Sequence, residues 1–405
     1  MFRLTRTQLQ PIGLDIGSDS IKMLQTEIVG GALSVVAAVK HRLPDDTPTD
    51  APTRLAVAMD EVRQIMRRGI FTGRNIVASL PREMVHIKNL RMPLIPAGEL
   101  ESAILFESRN LFGFESDQAR ICFLPAGEVR QGAEVRQEVI VLAALHSDID
   151  NYVEQLNQAG CVVDALDVSP CALYRSVERF IRRKEDEQEV HVIVDVGYQA
   201  AHVLIGRGRD ISFFKPLELG GRHLHQAVSR KLGISLPEAR ALRERLMEAT
   251  EVSDPAGRRD PVRQAVFDAT RSTLEELGRE IALCLRYYTV TFRGHRPTRL
   301  RLTGGEALDP NLVATLQGVL PVPVEAGRAL HNLSISKMKP ADRRGHGSEW
   351  TTALGLSLKS TRLKFAGKDG KPRDPTIPVR SDAVTNPDLL IPASSPVQAK
   401  EALRA

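Results

Sequence analysis

Cysteine is scarce in this sequence of 405 residues, which contains four, and the four show no Cys-x-x-Cys spacing. Their neighbours are mostly apolar, so reduced, partly buried thiols fit better than a disulfide framework. The four are Cys122, Cys161, Cys171 and Cys284. Thiols of this kind indicate a reducing compartment.

Long apolar runs are also lacking. The longest uncharged run extends from Val139 to Leu145 and is far too short to cross a bilayer. The opening residues, MFRLTRTQLQ, contain no apolar core after their arginines, which argues against a secretory signal. We therefore expect a cytoplasmic protein without a transmembrane segment.

Motifs for several other functions are missing. Aromatic residues make up only 4% of the chain, and no basic stretch is interleaved with them, so no nucleic-acid site is predicted. The 55 basic and 50 acidic residues nearly cancel along the chain. No Gly-x-Ser-x-Gly motif appears, and the histidines, including His223 and His225, lack partners at metal-ligand spacing. Covalent hydrolases and metal enzymes are therefore disfavoured.

A duplicated pattern is present instead. In the stretches Ile12 to Leu24 and Val192 to Ile205, an apolar run leads into Asp-x-Gly, small or polar residues follow, and a second apolar run begins. Two strand-length runs joined in this way predict a β-hairpin. One Asp-x-Gly turn alone would be an ordinary structural turn. Two copies, at Asp15 and Asp195, predict two similar halves that face one cleft.

The tips of such hairpins suit a nucleotide. Successive main-chain N–H groups can point at phosphate oxygens, and an aspartate beside them can hold a hydrated Mg²⁺. The strand RLRLTGG, which ends in Gly304 and Gly305, adds a tight turn of the kind that brings backbone against a nucleotide. The same turn is also compatible with a simple β-to-α connection.

The order of periodic segments predicts an α/β fold with an insert. A length of 405 residues predicts two or more domains, and the hydrophobic (42%) and charged (26%) fractions are ordinary for a soluble protein. Apolar periodicity and glycine or proline breaks set the boundaries. The predicted segments are a first half in two parts (1–84 and 164–186), an inserted α+β subdomain (85–163), a second half with a helical subdomain (187–360) and a disordered tail (361–405).

This arrangement resembles the actin-like ATPase superfamily and, within it, the PilM family of type IV pilus assembly, which is related to FtsA. The resemblance spans roughly Ile12 to Lys359. The motifs that support it are Gly13-Leu-Asp-Ile-Gly-Ser-Asp-Ser-Ile-Lys22, Val194-Asp-Val-Gly197, Leu219-Gly-Gly-Arg-His-Leu224 and Leu302-Thr-Gly-Gly305.

The resemblance implies ATP and Mg²⁺ as cofactors and assigns roles to residues. It makes Asp15 and Asp195 the catalytic residues, which hold the metal through water. The nucleotide-binding residues that it implies are Gly17, Ser18, Ser20, Lys22, Gly197, Gly220, Gly221, Arg243, Gly304 and Gly305. Gly220 and Gly221 are expected to approach the sugar, and Arg243 the ribose or adenine. Lys22 is equally compatible with a solvated strand end, and Arg243 with pairing to Glu238 or Glu244.

Several positions depart from the family pattern. Ser169 stands where relatives often have a carboxylate that orients water, and serine is a poor substitute. Tyr198 and Gln199 replace small residues of the second phosphate loop. Glu306 replaces a frequent third glycine, and Asp19 adds an anion near the first loop. Together these changes predict slow or absent hydrolysis.

The resemblance also implies a partner, the N-terminal cytoplasmic peptide of a PilN-like inner-membrane protein, held between the first half and the insert. Other pilus assembly proteins and self-association are further options. The protein would then lie at the inner membrane through its partner, in a pilus or a related type II secretion system. The alternatives are an FtsA-like division protein, which would need an amphipathic membrane helix, and a sugar kinase, which would need an aspartate base.

Overall fold

Two sheets with the same strand order form the frame of the protein. The computed structural model describes residues 7–359 apart from 46, 49, 182, 184, 249–259 and 293–295. The predicted disordered tail lies outside the described residues. No helix of the described part is both long and apolar enough to span a bilayer.

The elements before residue 180 are, in chain order, β1 (Thr7–Ile16), β2 (Ser20–Val29), β3 (Ala32–Arg42), α1 (Ala51–Arg67), β4 (Asn75–Ser79), β5 (His86–Pro93), α2 (Ala97–Ser108), β6 (Ala119–Gln131), β7 (Glu134–Leu145), α3 (His146–Gln158), β8 (Val162–Asp167) and α4 (Ser169–Glu178). The elements after it are β9 (Val190–Val196), β10 (Ala201–Arg207), β11 (Asp210–Leu217), α5 (Gly221–Leu232), α6 (Leu236–Glu248), α7 (Pro261–Thr291), β12 (Leu300–Thr303), α8 (Pro310–Val319), β13 (Val324–Ala326) and α9 (Thr351–Ser357).

The first sheet has five strands in the order β3-β2-β1-β4-β8. β1 and β2 form the predicted hairpin, and β4 lies parallel to both β1 and β8. Strands that are buried on both faces need continuous apolar runs, as in Ile76–Ala78 of β4, each of which is fully buried. Helix α1 is capped by Asp50, whose side chain accepts a hydrogen bond from the Thr53 N–H at 3.0 Å.

The second sheet repeats this order as β11-β10-β9-β12-β13. Its hairpin strands β9 and β10 pair antiparallel, and β12 lies parallel to β9. The long helix α7 buries the stripe that we predicted to be core, which consists of Leu274, Leu277, Ile281, Leu285 and Tyr288. The duplication that the two Asp-x-Gly motifs predicted is therefore confirmed at the level of the sheets.

The insert is a sheet of three strands, β5-β7-β6, with helix α2 on one face. Alternate residues of β7 point to opposite faces. Val139 and Val141 pack under α2, whereas Ile140 and Leu142 belong to the core of the second half. The insert thus connects the hydrophobic core of the second half to the first half of the chain.

Two helices lie elsewhere than the predicted segments placed them. Helix α3, predicted within the insert, packs its apolar face on the first sheet, and the Tyr152 hydroxyl donates to the Ser79 carbonyl oxygen at 3.0 Å. Helix α9, predicted within the second half, returns to pack on β1, β2 and α4. Gly13 allows this because a Cβ there would overlap the main chain at Ala353. The first half is therefore completed by the last described helix.

Candidate nucleotide site between the two halves

The two hairpin tips have the same local geometry. The Gly17 N–H donates to the Ser20 carbonyl oxygen at 3.0 Å, and the Gly197 N–H donates to the Ala200 carbonyl oxygen at 3.0 Å. Asp15 lies opposite Lys22 on the neighbouring strand, and Asp195 lies opposite His202. Each half therefore presents one aspartate beside one tight turn.

The two aspartates face each other across the cleft. Burial raises the pKa of Asp15 above its ordinary value, the charge of Asp195 raises it further, and Lys22 opposes both. The Lys22 Nζ lies 3.8 Å from Asp15 Oδ2. The Thr303 hydroxyl, from β12, donates to Asp195 Oδ1 at 2.9 Å and orients that carboxylate. A cation between the two carboxylates would relieve their repulsion.

The donor set suits a hydrated ion. In the described part of the chain, no group of three or more carboxylate, histidine or cysteine side chains is placed to chelate a metal. Mg²⁺ commonly keeps several waters and binds proteins through one or two carboxylates together with substrate phosphates. Asp15 and Asp195 fit that mode, with the contact made through water.

The cleft between the halves has a volume of about 1620 Å³. Residues from both hairpins and from the β12 turn line it, so the structure brings most of the predicted site together. The predicted residues on its wall are Asp15, Gly17, Ser18, Ser20, Lys22, Asp195, Gly197, Gly304 and Gly305. Pockets of several hundred cubic ångströms enclose ligands of nucleotide size, so the cleft is wide enough.

Gly220 and Gly221 lie behind the second hairpin and not on the wall of the cleft. The Gly221 N–H donates to the Gly197 carbonyl oxygen at 3.0 Å, and the Arg222 N–H donates to the Tyr198 carbonyl oxygen at 2.8 Å. The first turn of α5 thus holds the hairpin tip in place. From the sequence we expected this glycine pair to approach the sugar. The structure places the pair behind the hairpin tip, which it supports.

Arg243 is also placed away from the cleft, in a buried ion-pair cluster. Its side chain is 1% exposed, and it donates to Glu306 Oε2 and Asp309 Oδ2, both at 2.7 Å. Although burial opposes the charge, these two carboxylates raise the pKa of Arg243. The Nδ1 of His225 lies 3.1 Å from the guanidinium. Arg243 therefore joins α6 to the β12 turn, and its ion pairs are with Glu306 and Asp309, where the sequence suggested Glu238 or Glu244.

The backbone conformation at residue 304 requires glycine. Its φ angle of 90° is one that side-chain-bearing residues rarely adopt, and a Cβ would overlap the Val196 carbonyl oxygen. The tight turn after β12 can therefore pass directly beside the second hairpin. Glu306, two residues on, is turned into the Arg243 cluster, so its carboxylate is only 9% exposed.

An ion pair that the sequence did not predict spans the mouth of the cleft. Arg240 of α6 lies 2.5 Å from Asp19 at the tip of the first hairpin, and its guanidinium lies 5.1 Å above the Tyr198 ring of the second. Arg240 also binds Glu244, which in turn binds Arg42 of β3. Asp19 is thus neutralised by the opposite half of the protein.

A second cavity, which we call the apolar cavity, lies between the insert and the first half. It has a volume of about 50 Å³. Its walls come from β6 and β7 of the insert and from the β4, β8 and α4 region of the first half. They comprise Leu80, Val85, Arg120, Cys122, Leu124, Leu142, Ala143, Ala144, Ile149, Leu166, Asp167, Val168 and Cys171. Leu80, Val85 and Val168 also line the large cleft, so the two spaces adjoin.

Two sheets of identical strand order around a cleft with facing Asp-x-Gly hairpins define an actin-like ATPase fold. A family model described as type IV pilus assembly protein PilM matches residues 13–361. The chain belongs to that family. The predicted resemblance is confirmed.

Among similar solved structures, the one with a TM-score above 0.5 supports the fold. A PilM–PilN type IV pilus biogenesis complex is 22% identical, covers 86% of this chain and 98% of its own, and has a TM-score of 0.70. The ethanolamine utilization protein EutJ from Carboxydothermus hydrogenoformans is 13% identical over 87% of this chain and 89% of its own, with a TM-score of 0.46. MreB5 of Spiroplasma citri bound to ADP is 11% identical over 88% and 96%, with a TM-score of 0.41.

Proposed function

We propose that this protein is a nucleotide-responsive scaffold of a type IV pilus assembly platform, or of a related type II secretion platform. It binds ATP with Mg²⁺ in the cleft and the N-terminal peptide of a PilN-like inner-membrane protein between the first half and the insert. The observation that carries the nucleotide part is the pair of facing hairpins with their two half-buried aspartates. Family membership supports the pilus part.

In the nucleotide site, Asp15 and Asp195 hold the hydrated Mg²⁺, which neutralises phosphate charge when bound. The hairpin tips at Gly17 and Gly197 present main-chain N–H groups to the phosphates. Lys22 offers a further positive charge on the side of the first hairpin. Gly304 and Gly305 lie on the wall of the cleft and border the adenosine, and a Cβ added at Gly305 would meet no atom within 4 Å.

Hydrolysis is slow or absent in this proposal. A group that activates water must accept its proton, and Ser169 on the wall of the cleft is a weak base. The Tyr198 ring and the Arg240–Asp19 pair lie on the wall of the cleft beside the hairpin tips. A phosphate bound at the first tip would bring a second anion beside Asp19 and Arg240, which would couple nucleotide binding to the position of α6.

The apolar cavity supports the peptide part. At about 50 Å³ the cavity is too small for a peptide, but it can take one apolar side chain of an extended segment that lies across it. A peptide bound there would also touch Leu80, Val85 and Val168, which line the cleft as well. A bound peptide would hold the protein at the membrane through its partner.

The alternative functions are less well supported. A sugar kinase needs an available aspartate base in the first half. Asp167, at the corner before α4, is 3% exposed and is engaged by Arg175 at 2.9 Å and Lys359 at 3.2 Å. An FtsA-like division protein is disfavoured because the family match is to PilM over residues 13–361.

The test is calorimetric titration of Mg²⁺–ATP into wild type and Asp195→Asn, with phosphate release followed in the same samples. We expect the substitution to weaken binding at least about tenfold, since about 1.4 kcal/mol is lost with one charge contact. Phosphate release should stay far below the roughly 1–10³ s⁻¹ of typical enzymes. Asp210→Asn is the matched control, because Asp210 is exposed at the start of β11, remote from the hairpin tip. Equal affinity in all three proteins would contradict the site.

A further inference from the structure

The edge of the first sheet opposite the cleft carries a turn that is both basic and apolar. We call residues 67–74 the basic turn. It connects α1 to β4 and has the sequence Arg67-Arg68-Gly69-Ile70-Phe71-Thr72-Gly73-Arg74. Strand β4 runs from this turn towards the cleft, because Ser79 at its carboxyl end lines the cleft wall. A ligand of the basic turn would therefore leave the nucleotide site open.

The fold holds the basic turn in place. The buried Gln25 side chain accepts a hydrogen bond from the Thr72 N–H at 2.9 Å and donates one to the Thr72 carbonyl oxygen at 2.8 Å. Phe71 packs against the core of the first half. Ile70, the next residue outwards, is nevertheless 45% exposed. Its exposure thus belongs to an anchored part of the structure.

Two further apolar side chains are exposed beside the turn. The Gln25 amide also donates to the Gln10 carbonyl oxygen at 3.3 Å, which brings the neighbouring Leu9, 41% exposed, near the turn. The Val162 N–H donates to the Arg74 carbonyl oxygen at 2.8 Å, and Val162 is 49% exposed. Together with that of the turn, three aliphatic side chains therefore meet water at one edge of the sheet.

The arginines of the turn lack counterions. Arg67, Arg68 and Arg74 are exposed, and in the part of the chain that the structure describes none of them has a carboxylate within ion-pair distance. By contrast, Arg63 on the same helix α1 pairs with Asp60 at 2.6 Å. The charge of the three arginines is thus available to a ligand.

Two carboxylates adjoin this edge, and both have partners. Asp164 of β8 accepts a hydrogen bond from the Asn75 side-chain amide at 2.5 Å. Glu27 of β2 pairs with Lys337 at 3.5 Å. The edge therefore keeps an excess of positive charge around its exposed apolar side chains.

We propose that the basic turn binds the surface of a bilayer that contains anionic phospholipids. Ile70 inserts between the headgroups, and Arg67, Arg68 and Arg74 contact lipid phosphates. Apolar side chains that enter the interface and basic residues that attract anionic lipids are the two components of such binding. This inference goes beyond the proposed function, in which only the partner peptide holds the protein at the membrane.

The size of the surface favours a bilayer over an acidic protein. Three partly exposed aliphatic side chains offer on the order of 100–200 Å² of apolar surface, whereas a standard protein interface takes about 800 Å² from each partner. A bilayer requires no matching shape. Near an anionic membrane each arginine strengthens binding roughly fivefold, so the three together should contribute about a hundredfold.

Co-sedimentation of the full chain with protein-free vesicles tests the proposal. Vesicles of phosphatidylcholine with about 30% phosphatidylglycerol should bind the wild type, and vesicles of phosphatidylcholine alone should not. The variant Arg67→Gln/Arg68→Gln/Arg74→Gln should bind the anionic vesicles about a hundredfold more weakly. Wild-type binding should also fall between about 0.1 M and 1 M NaCl, since the Debye length shrinks from about 10 Å to about 3 Å.

The matched control removes the same number of charges elsewhere. The variant Arg271→Gln/Arg279→Gln/Arg286→Gln changes three exposed arginines of α7, in the second half, and should bind as the wild type does. Circular dichroism checks that both variants are folded. The check is needed because Arg67 and Arg68 also lie at the carboxyl end of α1, where positive charge stabilises a helix.

A fluorescence measurement tests insertion without removing any charge. The chain has one tryptophan, Trp350, which is fully buried and gives a constant background. The added indole of Ile70→Trp should shift its emission to shorter wavelength on anionic vesicles and be quenched by brominated lipid. Leu283→Trp is the control, because Leu283 on α7 has a similar exposure of 43%, and it should show neither change.

Several outcomes would overturn the proposal. They are no wild-type binding to anionic vesicles, equal binding to both kinds of vesicle, equal losses in the two triple variants, and an unchanged emission of Ile70→Trp. Binding to soluble poly-glutamate with an unchanged emission would indicate an acidic protein segment as the ligand and would also overturn it. Neither nucleotide nor PilN peptide is present, so failure here leaves the proposed function standing.

Discussion

Replacing Arg243 by methionine is expected to destabilise the protein by about 3–5 kcal/mol, the usual cost of removing one partner from a buried ion pair. The guanidinium is 1% exposed and bridges Glu306 and Asp309, which are 7% and 4% exposed. Methionine keeps much of the aliphatic volume but no charge. Two buried carboxylates would therefore lose their common counterion.

The loss should depend on pH through Glu306. Burial already raises the pKa of Glu306, and Arg243 restrains that rise. In the variant the pKa of Glu306 in the folded state rises further above its value in the unfolded state. The protein then loses stability as the pH rises from the unfolded-state pKa to the folded-state pKa. Each pKa unit corresponds to about 1.4 kcal/mol. The destabilisation should consequently be smaller at pH 5.5 than at pH 7.5, because Glu306 can take up a proton.

Urea unfolding followed by circular dichroism at both pH values measures the effect. At a slope of roughly 3 kcal/mol per molar urea, the midpoint should fall by about 1 M or more. Arg271→Met is the matched control, because Arg271 is 64% exposed and pairs with Glu275 one turn away, at 2.8 Å. Water screens that pair, so the urea midpoint of this variant should stay close to that of the wild type. An Arg243→Met protein of wild-type stability with impaired ATP binding would refute the buried-cluster assignment and favour the nucleotide contact predicted from sequence.

Three further predictions concern single residues. Gly304→Ala should destabilise the protein by about 3 kcal/mol, because residue 304 has a φ of 90° and the added Cβ would overlap Val196. Gly305→Ala is the control. Its added Cβ would have no atom within 4 Å, so stability measured by urea unfolding should change by less than about 1 kcal/mol. Burial and Arg243 lower the pKa of His225 to about 2, so below pH 6.5 the unfolded state binds a proton that the folded state does not. The wild-type protein should therefore lose up to about 1.4 kcal/mol of stability per pH unit between pH 6 and 4 through this residue. In His225→Gln that part of the loss should be absent. Ser169→Asp should raise phosphate release at least about tenfold by supplying a base at the cleft wall, and an unchanged rate would show that Ser169 does not limit hydrolysis.

The duplicated frame was predictable because its signals are local. An apolar run, Asp-x-Gly and a second apolar run specify a hairpin within about 15 residues. Each of the two copies could be recognised without reference to the other. The two hairpins occupy equivalent positions in the two sheets because each half of the chain repeats the same order of strands and helices.

The placement of α3 and α9 was not predictable in the same way. Helical periodicity states that Ile149, Tyr152 and Leu156 share a buried face, but it does not state which sheet that face meets. Helix α9 packs on strands more than 300 residues earlier in the chain. Sequence order therefore assigned both helices to the wrong neighbours.

Long-range ion pairs were missed for a related reason. Asp19 and Arg240 are separated by 221 residues, and Arg243 and Glu306 by 63. Neither pair leaves a local pattern, since single charged residues on α6 also suit an exposed helix face. Only the fold shows that Arg240 faces the cleft and that Arg243 faces the core.

Helix α9 also determines when the first half can finish folding during synthesis. It covers β1, β2 and α4, yet the ribosome makes it about 170 residues after α4, which corresponds to roughly 10–35 s at typical elongation rates. During that interval the nascent first half exposes the apolar surface that Leu354 and Leu356 later bury. The N-terminal half is thus translated first but finished last, and the emerging chain presents a chaperone with a defined surface to protect.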